Sequence, residues 1–260
     1  MTVYTHGHEE PVLRSHRWRT AANSCGYLLP HLRPEMTLLD VGCGPGTITN
    51  DLAALVAHVT AVEVSDTVIG LARDAVDRPN VDFVVSDVHE LGFDDDTFDV
   101  VHAHQVLQHV ADPVAALREM RRVCKPGGLV AARDGDYAGF VWAPQIAEIT
   151  EWQVLYRRIA RSNGGEPDAG RYLLGAARAA GFEQVSAHSS TWCFATPEDR
   201  EWWAGSWAQR VTDSALARQA VDGGFATPDD LRRIADGWRR WAESPDGWFS
   251  VLHGEILARA

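Results

Sequence analysis

Apolar residues at 37–41 (TLLDV) form a short run that ends in a glycine-rich turn, and residues 48–57 then carry apolar positions at helical spacing. The pattern predicts strand, loop, helix. A β-rich run follows at 59–63, Ser65 or Asp66 can cap a helix reaching residue 76, and 81–85 reads as a third strand. Residues 98–103 make a fourth strand, 113–123 a helix, and 129–132 a fifth strand after the turn Pro126-Gly127-Gly128. Strands alternating with helices at this spacing imply a parallel sheet with right-handed crossovers.

Beyond Asp136 the pattern changes, and nine of the ten tryptophans lie past residue 141. Residues 144–161 place Ile146, Ile149, Trp152, Tyr156 and Ile159 on one helical stripe. A second helix ends at Gly181, the residue type expected just past a helix C-terminus. Residues 185–195 and 249–258 read as a sixth and a seventh strand. Between them Thr196-Pro197 and Thr227-Pro228 each set a capping hydroxyl before a proline at the first helical position. The expected architecture is a Rossmann-like, doubly wound seven-stranded α/β sheet with helical lid additions. In it a domain spanning 31–260 carries helical, substrate-covering insertions at about 138–181 and 196–247.

Composition narrows the partners. The length of 260 residues suits one α/β domain with a covering subdomain, and a formal charge of −12 disfavours a nucleic-acid backbone, whose phosphates would be repelled. That leaves a small-molecule acceptor, bound by a monomer or homodimer. Cys25, Cys43, Cys124 and Cys193 stand far apart, with no CxxC pair and no Cys/His spacing suited to zinc, so free thiols in a reducing cytosol and no metal are expected. Residues 1–10 hold no apolar signal-peptide core, and no later run is long enough to span a bilayer, which points to a cytoplasmic protein without membrane attachment. Lys125 is the only lysine, against 23 arginines, a bias that fits a GC-rich bacterial genome.

The segment Leu39-Asp40-Val41-Gly42-Cys43-Gly44-Pro45-Gly46-Thr47 puts glycines at alternate positions straight after the first strand. Backbone can then approach a ligand closely, and the next helix offers free N–H groups. Glu63 ends the second strand, where a carboxylate can accept from both hydroxyls of a ribose. Asp87 follows the third strand, where it can accept from an adenine amine while the Val88 N–H serves a ring nitrogen. Two acids without a compensating base disfavour a pyrophosphate.

With DVGCGPG, VEVS, SDVHELGFDDDTFDVV, LQHVADP and KPGG, the stretch 14–135 resembles class I S-adenosylmethionine-dependent methyltransferases, within them the UbiE-like quinone-biosynthesis (type 11) group. The resemblance implies S-adenosylmethionine as cofactor, with contacts at Asp40, Gly42, Gly44, Glu63, Asp87, Val88 and, through its backbone, His104. A bracing role for Asp40 is the alternative. Residues 1–30 are expected to form a helical lid. In one helix over 16–29, Trp18, Ala21, Ala22, Cys25 and Leu29 would share one face, and His16, Thr20, Asn23 and Tyr27 would turn the other toward the cofactor's methionine end, with an ordinary amphipathic surface helix as the alternative.

Methyl transfer needs alignment, exclusion of water and, for some nucleophiles, a base. His104 and His109 are the catalytic candidates, with Asp134 and Asp136 nearby in sequence and a packing role as the alternative for His109. His102, His104 and His109 also raise a metal reading, but no fixed third ligand is evident and none is expected. Tyr137, Trp142, Trp203 and Trp207 are expected to line the acceptor pocket, although most large aromatics belong to cores. The acceptor expected is a small apolar, aromatic metabolite such as an indole or phenol of specialised metabolism, with a quinone precursor or a non-methylating binding role as alternatives. Nucleic-acid methylation is disfavoured further because His102-Ala103-His104-Gln105 stands where an Asn/Asp-Pro-Pro-aromatic motif would be.

Overall fold

A computed structural model describes Thr5 and residues 10–260 of the chain. Five parallel strands run in the order β3 (Val81–Val85), β2 (His58–Glu63), β1 (Thr37–Val41), β4 (Phe98–His104) and β5 (Cys124–Gly135). Crossover helices α3 (Thr47–Ala53), α4 (Asp66–Ala75) and α5 (Pro113–Val123) connect them. The near-continuous apolar strands β1 and β4 are buried because helices cover both faces.

The sheet then turns antiparallel. β8 (Trp248–Arg259) inserts between β5 and β7 (Val185–Phe194), pairing Ala132 with Ile256 on one side and Ala187 with Ile256 on the other. An eighth strand, β6 (Val141–Ala143), joins the seven expected by pairing with Trp248–Ser250 of β8. At three residues it is too short to show an alternating pattern in sequence.

The N-terminal helix expected over 16–29 is instead two. The first, α1 (Glu10–Arg17), ends before Thr20, whose extended backbone starts α2 (Ala21–Ser24). The Thr20 hydroxyl accepts the Asn23 N–H while the Asn23 side chain accepts the Thr20 N–H, a reciprocal cap that stops one helix and begins another. Residues 1–4 and 6–9 of the expected lid lie outside the described residues.

The remaining helices, α6 (Ala147–Ser162), α7 (Leu173–Ala179), α8 (Pro197–Asp213), α9 (Ala215–Asp222) and α10 (Pro228–Glu243), occupy the expected insertions. Capping boxes at Thr196 and Thr227 start α8 and α10 as the sequence indicates. Excepting α7, which packs beside α5, these helices enclose an aromatic core of their own. Trp152 lies 4.4 Å from Trp207 and 4.9 Å from Trp238 between ring centres, and Phe194 stacks on Trp203 at 4.4 Å. Edge-to-face pairs at these spacings add about 0.5–1.5 kcal/mol each beyond area burial.

Candidate active site

A cavity of about 390 Å³ opens at the C-terminal ends of β1, β2 and β4. Its floor is the glycine turn. Gly42 and Gly46 hold φ of 69° and 82°, and a Cβ at these positions would sit 2.4 Å from Val106 Cγ2 and 2.7 Å from Val76 Cγ2. Only glycine satisfies both constraints there. Asp40 lines the cavity, yet both its oxygens are committed. Oδ2 accepts the Thr49 hydroxyl at 2.6 Å and Oδ1 faces His102 Nδ1 at 2.9 Å, so Asp40 braces the turn. Burial alone would lower His102, but the Cys25 sulfur and the Asp40 carboxylate beside it raise its imidazole to about 10.

Glu63 and Asp87 open on the same cavity from the ends of β2 and β3, with Val88 beside them. One oxygen of Glu63 accepts the Val64 N–H at 2.9 Å. One oxygen of Asp87 accepts the His89 N–H at 2.9 Å, a bond that with the His89 ring holds this carboxyl below its usual range. Among the described residues the second oxygen of each acid has no hydrogen-bond partner. No arginine or lysine lines this end of the cavity, which suits uncharged ribose and adenine rather than a pyrophosphate.

Residues 39–132 match the model of the methyltransferase domain family. An uncharacterised methyltransferase of Schizosaccharomyces pombe is 36% identical across 98% of this chain and 95% of its own length. The chain belongs to the methyltransferase family. The methyltransferase is also 30% identical to the ubiquinone/menaquinone biosynthesis C-methyltransferase UbiE of Vibrio vulnificus, over 61% of this chain and 68% of that protein. It is S-adenosylmethionine-dependent and UbiE-like. Its fold is shared by the Haemonchus contortus phosphoethanolamine N-methyltransferase 2 in complex with S-adenosylmethionine, at TM-score 0.55 and 17% identity over 88% of this chain and 49% of that one.

The cavity is also lined by Leu13, His16, Arg19, His104, Gln105, Val106, His109 and Val110. His104 is buried, and among the described residues neither of its ring nitrogens has a hydrogen-bond partner. Burial, followed by the charges of Arg133 and Arg19, holds its imidazole well below the usual range. Gln105 follows in left-handed backbone, φ 55°. Its Oε1 accepts Arg19 Nη2 at 2.6 Å and its Nε2 faces His253 Nε2 at 2.9 Å. The His109 Nε2 faces the Gln108 amide nitrogen at 2.9 Å, and burial with the Arg19 charge lowers its imidazole to about 3. The lining residues Arg19 and Gln105 carried no sequence signal, because neither lies on a periodic stripe and only tertiary folding joins them.

Several expected site residues lie elsewhere. Thr20 is an exposed cap and does not line the cavity, because its hydroxyl serves the Asn23 N–H. Tyr137, Trp142, Trp203 and Trp207 are buried in the aromatic core of the additions, not in the cavity wall. Every lining residue of the cavity comes from 13–110, so the cover comes from the N-terminal segment rather than the insertions. Asp134 and Asp136 are also away from the cavity. Asp134 accepts the Gln108 N–H, and Asp136 pairs with Arg171 at 2.5 Å. Among the described residues no three His, Cys, Asp or Glu side chains converge on a metal position. No helix among them is long and apolar enough to cross a membrane.

Proposed function

We propose that this methyltransferase carries a methyl group from S-adenosylmethionine to a small-molecule acceptor within the cavity at the ends of β1, β2 and β4. The carrying observation is that the glycine turn and the acid-tipped strands β2 and β3 open on one 390 Å³ space. In this reading Glu63 holds the ribose diol, the second Asp87 oxygen accepts from the adenine amine, and the Val88 N–H serves a ring nitrogen. Gly42 and Gly44 let the ligand lie against backbone, and His104 contributes at the strand end. The bound cofactor supplies an already electrophilic sulfonium methyl, so the protein's own task is to align the acceptor and exclude water.

The acceptor lies against Arg19, His104, Gln105 and His109, with Leu13, Val106 and Val110 as its apolar contacts. This replaces stacking on Trp203 or Trp207 with a mixed apolar and polar wall. Four free cysteines, three of them buried, support a reducing cytoplasm. A quinone-precursor hydroquinone is the second reading, favoured by the identity to the Vibrio enzyme.

The deciding experiment incubates the protein with S-adenosylmethionine and fractionated small-molecule extracts, and measures S-adenosylhomocysteine by mass spectrometry. Turnover with a fraction is expected. Tight S-adenosylhomocysteine binding by calorimetry without turnover in any fraction would move the reading to a non-methylating binding protein.

A further inference from the structure

Gln108, in the short turn Leu107–His109 after β4, has a partner at every polar group. Its backbone N–H donates to Asp134 Oδ1 at 3.0 Å, and its carbonyl accepts the Glu166 N–H at 2.9 Å. Its side-chain oxygen accepts the Gly135 N–H at 3.0 Å, and its side-chain nitrogen faces His109 Nε2 at 2.9 Å. The residue is almost fully buried. Gly165 presses on the same turn, where an added Cβ would stand 2.6 Å from the Gln108 carbonyl oxygen and 3.6 Å from His109 Cα. The amide is thus gripped from β5 on one side and from the segment after α6 on the other.

These bonds place a proton. A backbone N–H only donates, so the Gln108 atom facing Gly135 is the amide oxygen and the group facing His109 is the NH2. An amide NH2 only donates as well. His109 Nε2 therefore accepts, and a neutral imidazole that accepts at Nε2 carries its hydrogen on Nδ1. The ring is neutral, because burial and then the Arg19 charge lower it to about 3. Neighbouring imidazoles are not fixed in this way. Neither ring nitrogen of His104 has a partner among the described residues. His253, in the buried polar wall with Arg133 and Glu255, faces a donor at each nitrogen, Gln105 Nε2 at 2.9 Å and Arg133 Nη2 at 3.0 Å.

We propose that Gln108 is a positioning residue that holds His109 as its Nδ1–H tautomer, so that His109 meets the methyl acceptor as a hydrogen-bond donor and not as a base. This rests on the methyl-transfer reading above and deepens it. His109 lines the cavity, whereas Gln108 does not, so Gln108 acts through its neighbour. A base needs a lone pair on the ring. The Nε2 pair is spent on the Gln108 amide, and Nδ1 is an N–H. A neutral donor held in advance recognises a lone pair on the acceptor and needs no rearrangement during the reaction.

The test is a long-range proton–nitrogen NMR spectrum of the full-length protein, labelled with nitrogen-15 at histidine and saturated with S-adenosylhomocysteine at neutral pH. The His109 signals are identified by their loss in His109→Asn. Nδ1 should be protonated and Nε2 bare. Gln108→Glu sets a carboxylate oxygen against Nε2 and should move the proton there. Gln108→Met, for the case that a buried glutamate prevents folding, should leave a mixture of the two tautomers. In turnover with the active extract fraction, His109→Asn sets an amide nitrogen near the Nδ1 position and should stay within about tenfold of wild type. His109→Gln sets it near Nε2 and should lose about a hundredfold. An Nε2–H or doubly protonated ring in the wild type, a tautomer that neither Gln108 variant disturbs, or equal losses in the two His109 variants would each overturn the proposal. Wild-type protein that turns over no fraction overturns the methyl-transfer reading and with it the role at the acceptor, while the spectrum still decides what Gln108 does to the ring.

Discussion

Single carboxylates act in and near this site in three distinct ways, set by what surrounds each one. Asp40 has both oxygens committed and is a brace. Glu63 and Asp87 each hold one oxygen in reserve, and their ligand is expected to engage the second. Glu63→Ala should therefore weaken S-adenosylhomocysteine binding at least tenfold, roughly 1.5–3 kcal/mol, by calorimetry. Unchanged affinity in a folded variant would remove Glu63 from the site. Asp134 shows the third behaviour, for burial pushes its carboxyl up to about 7. The folded protein holds this proton through a range where the unfolded chain has released it, so stability falls as pH rises from about 4 to about 7. Asp134→Asn removes that titration. Its unfolding free energy relative to wild type, from urea titration, should improve from pH 5 to pH 8, by no more than about 3 kcal/mol, and parallel profiles would refute the assignment. Glu63 and Asp87 were readable in the sequence because each follows a strand end directly. Arg19 and His253 were not, since 234 positions of chain separate them and only the folded Gln105 amide links them.

At the scale of elements, local signals fixed the strands and the capped helices while tertiary context decided the aromatic residues. β1, β3 and α5 have the bounds their apolar runs indicate, because strand alternation and a proline after an Asp cap are local chemistry. A tryptophan stripe at helical spacing looks the same whether it faces a ligand or another helix. In α8 it faces α6 and α10, and Trp207 is almost fully buried. Trp207→Ala should cost about 3–5 kcal/mol of stability, read from chemical denaturation, because it opens a cavity in packed rings. A selective rise in acceptor KM at unchanged stability would return Trp207 to the pocket. The broken helix at Thr20 has the same lesson in reverse, since amphipathic spacing continued across a cap that the Asn three residues on completes.

For the whole molecule, Leu13, His16 and Arg19 of the N-terminal segment line the cavity, and the segment is tied down at several points. The Thr47 hydroxyl donates to the His16 carbonyl, Arg19 reaches Gln105, and the Trp192 indole donates to the Asn23 carbonyl at 2.6 Å. Ordering by ligand should appear as greater hydrogen-exchange protection of residues 12–31 with S-adenosylhomocysteine than without it, and equal protection would mean that the segment is a fixed wall. The placement of β8 carries a different consequence, for the life of the chain before it is folded. Residues 248–259 separate β5 from β7 and supply His253 and Glu255 to the buried polar wall. A nascent chain on the ribosome that has reached only Glu243 holds two long strands with bare edges and a guanidinium, Arg133, without its carboxylate. Chains stopped by a nonsense codon before residue 248 should thus be targets for chaperones and proteases rather than partly active enzymes, because the buried polar wall is assembled only when this late strand enters between its neighbours.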